Sequence, residues 1–270
     1  MTNVEFAAAD DMPTLRLAHL YPALLNVAGD GGNVLALQFR ANCRGIGSSV
    51  VDIGLDETPD FGEFDVVFFH GGQDVEMTVV AADLQRKAAS LRDAADSGVV
   101  IFGVCAGLQL LGRQYLPSSG PAMPGAAVLD LETRGGSQRY MQHAACDVTI
   151  AGDSATVVGF ENHSGLTELG PDVEPFGTVI AGGGNNGVDG TEGARRDNVF
   201  ATYLHGPVLP KNPWLTDHLL RLAMGRRTGA AFVPTPLDDT VEERNHQVAQ
   251  DLAIANRGQR TALQPAQMGR

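Results

Sequence analysis

The chain has 270 residues, 43% of them hydrophobic, which suits a globular protein with a sizeable core and one large α/β domain or two small ones. Its formal net charge of −13 excludes binding of a phosphate backbone as the main activity, because that needs a basic face. Three cysteines, Cys43, Cys105 and Cys146, form neither a disulfide framework nor a metal-ligand pattern.

Residues 1–13 read as a loose leader, with Glu5, Asp10 and Asp11 where a signal peptide would carry a basic segment and an apolar core. No apolar run approaches the ~18 residues that span a bilayer. A cytoplasmic protein without membrane insertion is expected. Leu15 to Leu20 alternates apolar and polar and predicts a first strand. The loop Tyr21 to Asn33 contains Gly29-Asp30-Gly31-Gly32 but lacks the Gly-Lys-Ser/Thr ending of a phosphate-binding loop. It reads as a turn, with a helix starting near Asn33 and ending near Gly45. Val50–Leu55 and Phe64–His70 predict two further strands, the second running into Gly71-Gly72-Gln73-Asp74. Met77 to Ala95 predicts a long helix.

The run Val99 to Val104 is continuously apolar and rich in β-branched residues, as in a strand buried on both faces. It leads into Gly103-Val104-Cys105-Ala106-Gly107, then into the helical pattern of Leu108, Leu110 and Leu111. With serine at its centre this spacing is the nucleophile elbow, a sharp strand-to-helix turn that exposes the central side chain. A cysteine there lies at the positive end of a helix, which favours the thiolate. The N–H of Ala106 would face a developing oxyanion. The competing reading is a buried structural cysteine; the two flanking glycines argue against it.

Strand and helix patterns alternate up to this point. They predict a mostly parallel sheet flanked by helices, with the site at the carboxyl ends of the strands. Beyond Pro117, Val128–Leu131, Ala144–Ile150 and Thr156–Phe160 are short strand-like pieces that predict an antiparallel extension. Asn198–Leu204 is a strand ending in His205-Gly206-Pro207, and Trp214–Met224 is a helix. Residues 226–270 form a tail with one possible amphipathic helix over 240–256, and the last dozen positions read as disordered. Three histidines, His70, His163 and His205, stand at loop positions suited to a general acid–base, His205 most of all because it follows a strand.

Gly71-Gly72-Gln73-Asp74, the cysteine elbow through Gln109, and Tyr203-Leu204-His205-Gly206-Pro207 together resemble the class I glutamine amidotransferases, in their cobyric-acid-synthase-like branch. Gly159–His163, Gly183–Asn186 and Thr202–Asn212 narrow the likeness to glutaminase subunits of lipid II isoglutaminyl synthases. The resemblance runs from about Leu15 to Ala223 and implies a single flavodoxin-like amidotransferase domain over residues 14–225. It implies Cys105 as nucleophile, His205 as acid and base, Gly72 and Ala106 as oxyanion donors, and Arg139 and Gln109 as glutamine-binding groups. Arg134 is a nearby rival to Arg139.

No cofactor or metal is implied. The chain has no Walker lysine and no ligase module, so the implied partner is a separate Mur-ligase-like ATP-binding subunit of the MurT type, in a heterodimer. That partner would use the ammonia to amidate D-glutamate of lipid II. Other readings are service to another acceptor, such as a corrinoid, or a silent binding protein on the same fold. Many class I members carry an acid two residues after the histidine, whereas this chain has Pro207 there and Val208 next. Either the pair works as a Cys-His dyad, or an acid comes from elsewhere in the chain or from a partner; the expectation is the partner.

Overall fold

The computed structural model describes residues 5–9 and 12–257. In chain order it contains β1 (Thr14–Leu20), α1 (Gly32–Asn42), β2 (Gly47–Ile53), β3 (Val66–Phe69), α2 (Asp74–Asp96), β4 (Val100–Val104) and α3 (Ala106–Leu111). β5 (Gln114–Leu116), β6 (Met123–Pro124), β7 (Leu131–Ile150), β8 (Asp153–Leu169), β9 (Gly177–Ala181) and β10 (Thr191–Glu192) follow. β11 (Ala194–Arg196), β12 (Val199–Thr202), β13 (Leu204–His205), α4 (Pro213–Thr228) and α5 (Thr240–Ala255) complete it.

The first sheet has the order β11-β12-β4-β3-β1-β2 and is parallel except for β11. The series 2-1-3-4, extended by β12, is the flavodoxin-like order, whose direction of growth reverses between β1 and β3. Every residue of β3 and β4 is buried, so these strands carry apolar side chains on both faces. Each such Val, Ile or Phe contributes about 1.5–3 kcal/mol on burial. α2 packs inward through Met77, Val80, Ala81, Leu84, Ala88 and Leu91, at the three- and four-residue spacing of one helix face. α4 ends at Gly229, whose φ of 68° is the left-handed turn that stops helices at glycine.

The second sheet has the order β10-β9-β7-β5-β6, with β8 paired to β7 and β13 paired to β8. β7 and β8 form one hairpin, paired from Ile150↔Asp153 back to Leu131↔Leu169. The short pieces expected there are parts of these two long strands, and residues 128–130 lie outside them. Apolar alternation fades over residues 134–143 because that part of β7 is exposed or half-buried. Periodicity therefore reports only the packed end of the hairpin.

Residues 5–9 of the expected leader run beside β2. Phe6 N donates to Ser48 O, and Ser48 N donates back to Phe6 O. The expected disorder of the last dozen positions falls on 259–270, which lie outside the described residues. Among the described residues no helix is long and apolar enough to cross a membrane.

Candidate active site

Four loops at the carboxyl edge of the parallel sheet meet at one cleft. They follow β1, β3, β4 and β12. Cys105 stands where β4 turns into α3, with φ 51° and ψ −99°. Such a conformation costs a non-glycine residue about 1–3 kcal/mol and persists only where its surroundings impose it. Here Cys105 N donates to Thr202 O at 2.8 Å, and Gln109 N donates to Cys105 O at 3.0 Å. A side chain at Gly107 would overlap Phe69 O, and one at Gly103 would approach Leu111 Cδ1 to 2.8 Å. Gly107 is thus required by the close packing of α3 on β3, while Gly103 leaves room for Leu111 of α3 beside Ala201 of β12.

His205 ends β13 and is buried. Its Nδ1 lies 2.8 Å from Asp30 Oδ2, and its ring is hydrogen-bonded to Cys105 as well. Asp30 is fully buried in the loop between β1 and α1. Gly71 N donates to Asp30 Oδ2 at 3.4 Å, and Gly206 N donates to Oδ1 at 3.5 Å. The loop is braced at both ends. Gly31 N donates to Asn26 Oδ1, and Leu209 N donates to Asn33 Oδ1. Burial alone would lower the His205 pKa. The negative charge at Cys105 and the hydrogen bonds to Asp30 and Cys105 outweigh it and raise the group to about 10. Of the sources open for the acid, this chain itself places a carboxylate, 175 residues away in sequence, on the imidazole.

The cleft has a volume of about 480 Å³ and is lined by Gly72, Cys105, Gln109, Arg139, His163 and His205 among others. Gly72 packs so closely on Leu25 that a side chain there would overlap it. Ala106 opens α3, where first-turn N–H groups have no partner within the helix. Gln109 is buried, and its Nε2 donates to Tyr203 Oη at 3.3 Å. Arg139 reaches the cleft from β7 and donates through Nε to Asn162 Oδ1 at 2.8 Å. Its rival Arg134 instead pairs with Glu132 at 3.6 Å.

The other two histidines part company. His163 lines the cleft, stacked on the Tyr203 ring with centroids 3.6 Å apart; burial pushes its pKa down to about 3, so it is neutral. His70 is fully buried and bonded to His19 at 3.0 Å, and burial holds its pKa well below the usual value. Sequence reasoning passed over Asp30, Tyr203 and Glu192. For Asp30 the available signal was a polar, glycine-rich loop directly after a buried strand.

A thiol, an imidazole and a buried carboxylate meet at the carboxyl edge of this sheet. The chain belongs to the CobB/CobQ-like glutamine amidotransferase domain family, whose model matches residues 16–213. It is a glutamine-hydrolysing enzyme subunit.

The lipid II isoglutaminyl synthase (glutamine-hydrolyzing) subunit GatD of Staphylococcus aureus is 37% identical to it over 243 residues, 90% of this chain and 97% of that one. The subunit of the same name from Streptococcus pneumoniae is 36% identical over 218 residues, 80% of this chain and 82% of the other. A solved glutamine amidotransferase structure covers 77% of this chain and 98% of its own, with TM-score 0.51 and 19% identity, and shares the fold.

Proposed function

We propose that the chain is the glutaminase subunit of a lipid II isoglutaminyl synthase. Cys105 attacks the side-chain carbonyl of L-glutamine. The N–H groups of Gly72 and Ala106 hold the oxyanion. His205 passes a proton to the departing ammonia, leaving a γ-glutamyl thioester, and then takes a proton from the water that releases glutamate. Asp30 keeps the imidazole in the productive orientation, the part an aspartate plays in a Ser-His-Asp triad. Arg139 pairs its planar guanidinium with the substrate carboxylate, and Gln109 orients the amide. The observation that carries this reading is the Asp30–His205 contact beside the strained Cys105 elbow.

The ammonia goes to a separate Mur-ligase-like ATP-binding partner in a heterodimer. There it converts activated D-glutamate of lipid II to D-isoglutamine, on the cytoplasmic side of the membrane. This part rests on likeness to the two GatD subunits along most of their length. The domain is residues 14–225, and α5 beyond it packs Ala253 against Ala145 of β7, Val158 of β8 and Ala181 of β9.

The test is glutamate release from glutamine by the purified chain, with and without the Mur-ligase-like partner, ATP and lipid II. Release that Cys105→Ala removes, and amidated lipid II in the full mixture, are expected. A corrinoid acceptor in place of lipid II distinguishes the rival assignment. A wild-type chain that binds glutamine and hydrolyses none, alone or partnered, sinks the enzymatic reading.

A further inference from the structure

Between β12 and β13 the chain passes from one sheet to the other within a single residue. Thr202 pairs with Val104 in the first sheet, and Leu204 pairs with Glu161 in the second. At such a crossing the buried N–H groups leave their ladder and need other acceptors. Glu192 supplies one. Its Oε1 accepts from Tyr203 N at 2.8 Å and from Thr202 Oγ1 at 2.6 Å. Thr202 Oγ1 in turn accepts from Leu204 N at 3.0 Å, and Thr202 O accepts from Cys105 N at 2.8 Å. One carboxylate therefore accepts two of the four bonds in this cluster. That cluster reaches the backbone of the elbow on one side and the strand ending in His205 on the other.

The arrangement is costly. Glu192 is 2% exposed, no Lys or Arg pairs with it among the described residues, and its Oε2 has no hydrogen-bond partner. Burying an unpaired carboxylate is unfavourable, and a neutral acceptor would satisfy the same two donors. Gly193 brings it close: with φ +62° it lies against Ala201 O, where a side chain would overlap. Local rules broken in this way concentrate at functional sites.

We infer that Glu192 is a positioning residue for the Cys105–His205 pair, fixing the chain at its crossing between sheets and so setting how the imidazole meets the thiol. This rests on the reading of those two residues as the hydrolytic pair. Glu192 does not line the cleft.

The experiment uses the full chain in a Cys43→Ser background, since Cys43 is the exposed thiol and Cys146 is buried. Two quantities are read: kcat and KM for glutamate release, and the rate of Cys105 alkylation by iodoacetamide across pH. Glu192→Ala is expected to lower kcat about tenfold or more, with KM within about threefold, because small displacements of reacting groups are heavily penalised. Alkylation at neutral pH slows with it, since the thiolate loses its imidazolium. Glu192→Gln keeps an acceptor oxygen at the Oε1 position and recovers most of both. A folded Glu192→Ala with wild-type kcat and an unchanged alkylation profile overturns the inference.

Should Glu192→Ala not fold, Thr202→Val against Thr202→Ser decides: loss in the first with retention in the second supports the clamp, and equal behaviour refutes it. A wild-type chain that releases no glutamate, alone or with the Mur-ligase-like partner, instead defeats the glutaminase reading. The alkylation comparison still reports on positioning in that case.

Discussion

The two sides of the cleft are built differently. One is the carboxyl edge of the parallel sheet, where Cys105, His205 and Asp30 are all buried and their backbones are tied into neighbouring strands and loops. The other is the hairpin β7–β8 where it leaves its packed end. Arg139 there has a single side-chain bond to Asn162, in a stretch whose register shifts between Gly135 and Tyr140. Groups held on every side suit a transition state, whose stabilisation fails with small displacements. A group on a pliant wall suits substrate capture. The sheet edge should therefore govern kcat and the hairpin KM.

The largest test of that division is Cys105→Ala. Glutamate release should fall by at least about a thousandfold, as for loss of a nucleophile elsewhere. Asp30→Asn comes next, with kcat down by about 10²–10⁴, the range set by losing the orienting acid of a triad. It should also move the pH profile. His205 stays protonated up to about 10 partly through Asp30, so the alkaline fall in activity should lie near there in the wild type and at lower pH in the variant. The sign for stability runs the same way. A histidine raised above its ordinary 6.5 stabilises the fold fully below that value and loses the contribution as pH rises through about 10. Thermal melts of Asp30→Asn should show a weaker decline over that window. If adding the Mur-ligase-like partner restored full activity to Asp30→Asn, the orienting acid would belong to the partner after all.

The two sides also differed in how far they could be read from the chain. Val99 to Val104 is an uninterrupted apolar run between turn residues, and the two glycines around Cys105 follow from packing against Phe69 and Leu111. Local physics sufficed there. Asp30 was hidden because its loop has no periodicity and its partner is 175 residues away. Its polar, glycine-rich character fitted a simple turn equally well. Glu192 was hidden for a related reason. A glutamate in a short strand reads as a solvated side chain, and only the crossing of β12 into β13 buries it. The hairpin's length was lost where β7 becomes exposed, since alternation marks a strand only where one face is buried.

The hairpin half of the comparison is tested by two arginines five residues apart in one strand. Arg139→Ala should raise KM for glutamine about 10- to 100-fold, the worth of one or two charged hydrogen bonds, and leave kcat within a few-fold. Arg139→Lys should recover only part of this, because an ammonium keeps the charge and loses the planar fork. Arg134→Ala, whose pairing with Glu132 is largely exposed, should leave both constants within about twofold. Steady-state kinetics over a wide glutamine range separates the cases. Equal rises in KM for the two alanine variants would mean that the hairpin works by diffuse positive charge, since only Arg139 reaches the cleft. A fall in kcat for Arg139→Ala as deep as that for Asp30→Asn would place Arg139 in the transition state. The two walls would then share one task.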